Sequence, residues 1–170
     1  MFLRKTLDWG HHLVKVTYDY MLELAARKNA MLFLFIVAFV ESSFFPIPPD
    51  IMLIPMVLAT PAKAYRIAGL ATVASVLGGY FGYLIGVFGY DLIAKPILTF
   101  YGYMSQFDVF KGYYHEWGAW IVFGAGLTPF PYKVVTIASG VVRLDLLVFT
   151  VASVLARGGR FFLVAWLLKK

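Results

Sequence analysis

Five ionisable side chains lie inside otherwise apolar stretches of this sequence: Glu41, Asp50, Lys133, Arg157 and Arg160. A charge at mid-bilayer costs at least about 2.5–3.5 kcal/mol on insertion scales, so such groups persist by pairing or by facing a wet cavity. The chemistry open to them is electrostatic and protonic. Lys133, Arg157 and Arg160 would attract a phosphate, and Glu41 or Asp50 could exchange a proton during transport. Burial raises a carboxyl pKa while a neighbouring cation lowers it, and the sequence leaves that balance open. A structural network holding broken helices together is the alternative for the same five groups.

Other chemistries find little support. With no cysteine there is no disulfide, thiolate or zinc-finger chemistry. His115 and His11 have no ligand residue four positions away and His12 has Asp8 alone, so no metal site is expected. There is no dense His/Asp/Glu cluster and no Ser–His arrangement, so no catalytic residue or cofactor is assigned and the chain does not read as an enzyme.

The elements that must position the five charges are membrane elements by composition. Of 170 residues, 61% are hydrophobic and 14% charged, with mean hydropathy +0.79. A soluble domain is about 45–50% apolar and about 25% charged. Too few polar side chains remain to coat a water-facing surface. The 15 Lys+Arg against 9 Asp+Glu give a net charge of +6, read as basic cytoplasmic loops rather than a nucleic-acid surface.

Met1–Asn29 mixes Leu3, Leu7, Val14, Tyr18, Met21 and Leu22 with Arg4, Lys5, Lys15, Arg27 and Lys28, a pattern that suits an interfacial amphipathic helix. It is too polar for a signal-peptide core, and the first methionine is read as retained. Residues 30–170 are then a single membrane domain. Ala30–Ala59 is apolar but interrupted by Pro46-Ile-Pro-Pro-Asp50, with Pro46, Pro48 and Pro49 at the tip. Its halves reach only roughly 22 and 14 Å, short of a hydrocarbon core of about 30 Å. It is therefore a re-entrant hairpin or a span broken at mid-depth. Ile67–Tyr90 is an uninterrupted span whose Gly78, Gly82 and Gly86 recur every fourth residue. Small residues at that spacing let another backbone approach, within the subunit or in a homodimer. Asp91–Glu116 reads as an interfacial linker. Trp117–Val142 is a second broken run, with Pro129 and Pro131 at its tip, and Leu144–Leu168 is the last span.

An internal repeat organises these elements. Thr72-Val-Ala-Ser-Val-Leu77 recurs unchanged as Thr150-Val-Ala-Ser-Val-Leu155 at an offset of 78, with Gly-Gly-x-Phe after each copy. Pro46-x-Pro48-x-Asp50 matches Pro129-x-Pro131-x-Lys133 at an offset of 83. Repeat 1 covers about 30–90 and repeat 2 about 117–168. If the broken segments are re-entrant, each repeat crosses once and the second is inverted, with both tips near mid-membrane. The predicted fold is an all-α integral membrane protein, an inverted repeat of re-entrant hairpin plus transmembrane helix. Nine basic residues then fall on the face of the termini and three on the other, which places both termini in the cytoplasm. Because Asp50 and Lys133 are equivalent with opposite sign, the tips are expected to meet, their charges lining one cavity.

Glu41-Ser-Ser-Phe-Phe-Pro-Ile-Pro-Pro-Asp50 resembles the first re-entrant motif of the DedA family, the VTT-domain or SNARE-associated Golgi protein superfamily: an acid, a proline-rich stretch, and a second acid nine residues on. The likeness runs from about Met31 to the C-terminus. The second motif departs from the family's Arg-x-x-Pro-x-x-Arg. Gly126 and Tyr132 stand where the arginines would, Lys133 is displaced by one position, and Ser139-Gly140 replaces Ala-Gly, which is closer to the YqaA-like branch. Arg157 or Arg160 would supply the missing cation. The resemblance implies a multi-pass inner-membrane protein that moves a lipid or lipid-phosphate, such as undecaprenyl phosphate or a phospholipid, between leaflets with proton coupling. Its partners would be an anionic lipid headgroup and protons. The alternatives are a small-solute or ion transporter of the same architecture, a membrane enzyme acting on lipid phosphates, and a non-transporting envelope-homeostasis factor.

Overall fold

The computed structural model describes residues 15–16, 19–20, 23, 25–43, 48–128 and 131–169. Most of the expected amphipathic segment Met1–Asn29 lies outside them, as do the tip prolines Pro46 and Pro129. The described residues form helices and no strand.

The first broken run forms α1 (Ala30–Ser43) and α2 (Asp50–Ala59). Pro48 and Pro49 stand at the entry to α2, where a helix leaves its first N–H groups unbonded in any case. The chain doubles back here. Ala30 and Leu34 at the start of α1 share one apolar cluster with Met52, Leu53, Met56 and Val57 of α2 and with Ala64, Ile67, Ala68 and Ala71.

A single helical turn, Pro61–Lys63, leads into α3 (Ala64–Gly89). It continues through a widened π-type turn, Tyr90–Ala94, into α4 (Lys95–Tyr101). Pro96 follows that turn and has no N–H to close an ordinary one. Gly102, at φ +71°, ends the run. The N–H groups of Tyr103 and Gly102 bond back to the carbonyls of Leu98 and Thr99, a left-handed stop that favours glycine.

The second broken run forms α5 (Met104–Leu127) and α6 (Tyr132–Val141). α5 extends without interruption through Glu116-Trp117, where the linker is expected to pass into the second repeat. Lys111 and Glu116 are exposed on this helix, whose Tyr114, Gly118, Val122 and Gly126 are buried. This hairpin also doubles back. The Tyr114 hydroxyl, in the first half of α5 near its middle, bonds Ser139 Oγ at 2.9 Å, late in α6.

The last helix, α7 (Leu146–Lys169), is capped by Asp145, whose Oδ1 accepts the N–H groups of Leu147 and Val148 at 2.9 and 3.0 Å. α7 lies antiparallel to α3: Tyr80 meets Thr150 at 2.7 Å, and Tyr65 lies under Lys169. By length and composition, Pro61–Tyr101 and Leu146–Lys169 can cross a membrane. Large apolar side chains cover much of the exterior, among them Leu92, Phe100, Trp120 and Leu147.

The glycines of α3 let both hairpins reach it. A Cβ on Gly78 would fall on the Phe39 carbonyl of α1, one on Gly82 on the Thr136 side chain of α6, and one on Gly86 on the Ile137 carbonyl of α6. All three contacts are within the chain.

Candidate functional site

Arg157 and Arg160 project from the middle of α7, one turn apart, and each meets an acid of the first hairpin. The Arg157 side chain is 2% exposed. Its Nη2 donates to Glu41 Oε2 at 2.7 Å and its Nε to Ser75 Oγ at 2.6 Å. The guanidinium also lies 4.9 Å from the centre of the Tyr132 ring and 4.7 Å from that of Phe161. A delocalised, weakly hydrated cation tolerates such a site better than a lysine would.

Arg160 serves both hairpins. Its Nη2 pairs with Asp50 Oδ2 at the start of α2, and its Nη1 donates to the Thr128 carbonyl just after α5 at 3.1 Å. The pair is partly open, with side chains 23% and 19% exposed. Asp50 Oδ1 is buried and has no hydrogen-bond donor among the described residues.

Small hydroxyls complete the centre. Ser42 Oγ meets Ser75 Oγ at 2.6 Å and donates to Glu41 Oε2 at 3.1 Å. Thr136 of the second hairpin donates to the Ser42 carbonyl at 3.2 Å, and Tyr132 donates to Ser153 Oγ. Ser75 and Ser153 are the same position of the repeated hexapeptide, each turned into the core.

Glu41, Asp50, Arg157 and Arg160 are thus brought together, with Pro48 and Pro49 beside Asp50 and Pro131 beside Tyr132. Lys133 is not part of the paired set. The expected opposition of Asp50 and Lys133 is replaced by Asp50–Arg160, and Lys133 makes no ion pair among the described residues. A guanidinium on α7 can bond a carboxylate and a carbonyl from different segments at once, which a single ammonium on α6 does less well.

Sequence reasoning missed Ser42, Ser75, Tyr132 and the Thr128 carbonyl. The hexapeptide was a usable signal for Ser75, since a repeated serine in an apolar helix needs a partner. The expected shared cavity has no counterpart in two large grooves of about 820 and 470 Å³, neither of which is lined by any of the five charges. Among the described residues no group of three or more His, Asp or Glu is placed to hold a metal ion.

No family model matches the chain, and no solved structure matches it. It is 39% identical over 148 residues to an uncharacterized protein of Haemophilus influenzae, covering 87% of this chain and 77% of that one. It is 40% identical over 157 residues to an uncharacterized protein of Histophilus somni, covering 90% of this chain and 82% of the relative. The chain belongs to the family of these two proteins.

Proposed function

We propose that this chain is a multi-pass protein of the inner membrane that moves a lipid or lipid-phosphate between leaflets, as the DedA-like motif implies. The observation that carries the reading is Arg160, which joins the tips of both hairpins halfway along an apolar helix. Charge in that position is costly unless it is used or paired.

Several features support an inverted repeat. Gly69, Leu70 and Val73 line a groove between α3 and α1, and their equivalents at the offset of 78, Leu147, Val148 and Val151, line one between α7 and α5. On the opposing walls Met31, Leu32 and Phe35 correspond to Ala119, Trp120 and Phe123 at an offset of 88. Corresponding residues in corresponding grooves favour duplication over chance identity. The hairpins would then be re-entrant from opposite faces, with both termini cytoplasmic.

In this mechanism an anionic headgroup enters among Arg157, Arg160 and Lys133, exchanging with Glu41 and Asp50. A displaced carboxylate takes up a proton, which couples passage to pH. Transport of labelled undecaprenyl phosphate and of labelled phospholipid in proteoliposomes tests the reading. Movement of either lipid supports it, and inactivity on both would sink it. Glu41→Gln and Asp50→Asn should each slow transport and flatten its pH dependence. Unchanged rates and pH profiles in both would remove the proton role.

A further inference from the structure

The two repeat-related grooves differ in one respect. The α1–α3 groove, lined by Met31, Leu32, Phe35, Gly69, Leu70 and Val73, also carries Lys63 and Arg66. Its counterpart between α5 and α7 has no charged residue in its lining. Both cations are exposed at the start of α3, and neither has an acidic partner among the described residues. An apolar trough about 820 Å³ in volume with two exposed cations at one end matches a hydrocarbon chain that ends in a phosphate.

We propose that the α1–α3 groove holds an anionic glycerophospholipid, an acyl chain along the trough and the phosphate on Lys63 and Arg66. This lipid is a bound companion outside the charged centre, not the transported one. The inference rests on the membrane placement above but not on transport. The α5–α7 groove takes an acyl chain without selecting its headgroup.

The test reconstitutes the full chain in nanodiscs of equal phosphatidylglycerol and phosphatidylethanolamine and reads the retained lipid by native mass spectrometry. Wild type should retain phosphatidylglycerol in preference, and the preference should fall about fivefold for each cation removed by Lys63→Gln and Arg66→Gln. Val73→Trp, at an exposed position in the trough, should lose the phosphatidylglycerol preference and keep only the unselected lipid of the second groove, whereas Val151→Trp in that second groove should keep the preference. Excess inorganic phosphate should leave the lipid in place. An unchanged preference in the Lys63/Arg66 double variant or in Val73→Trp, or displacement by free phosphate, would each overturn the inference. A membrane-inserted, transporting chain without headgroup preference would overturn this inference alone. A chain absent from the membrane fraction would overturn the membrane reading as well.

Discussion

Arg157 and Arg160 are one helical turn apart, yet their surroundings set them different tasks. Arg157 is enclosed by two rings, a serine and a carboxylate, whereas Arg160 sits in a partly open pair whose acid has one oxygen with no donor among the described residues. Removing one partner of a buried pair strands the other charge, so Arg157→Met or Glu41→Met alone should lower stability by about 3–5 kcal/mol. Combining them replaces the pair with apolar side chains and should recover most of that loss, as read by thermal unfolding in detergent. The same double variant should remain inactive in transport. If it transported at the wild-type rate, the pair would be only a structural fastener.

At the scale of elements, the hairpins bind their opposite long helices by different physics. The first holds α7 through acids and arginines, and the second holds α3 through glycines that admit its backbone. At the repeat offset of 78, Arg157 and Arg160 stand where Gly79 and Gly82 stand in the first half. Gly86→Leu, against the α6 backbone, and Gly78→Leu, against the α1 backbone, should each abolish folded yield by size-exclusion profile, while Gly89→Leu, with open space around it, should be tolerated. The proline breaks, the two long helices and the hexapeptide were all legible, because chain interruptions and repeats are local properties. Asp50's partner was not. It lies 110 residues away, and alignment of the repeats pointed to Lys133, since equivalence by duplication says nothing about contact. The continuity of α5 was not legible either, since charges on an exposed helix face interrupt the apolar run when read as composition.

For the whole molecule, both hairpins fold back, so the short turn at Lys63 lies at the Ala30 end of the helices and α5 returns from the other end. The chain has no cysteine, so single substitutions report cleanly. Lys63→Cys should react with impermeant reagent from the same side as the C-terminus, and Lys111→Cys from the opposite side. Reversed labelling would mean that the broken segments cross completely. If the joined tips form the route for a lipid phosphate, Arg160 is the residue on which transport depends. Proteoliposomes carrying wild type, Arg160→Lys or Arg160→Gln would be assayed for transmembrane movement of labelled undecaprenyl phosphate and phospholipid. Wild type should move at least one lipid, Arg160→Lys should do so at a reduced rate, and a folded Arg160→Gln should move none. Wild-type rates in Arg160→Gln would contradict that dependence.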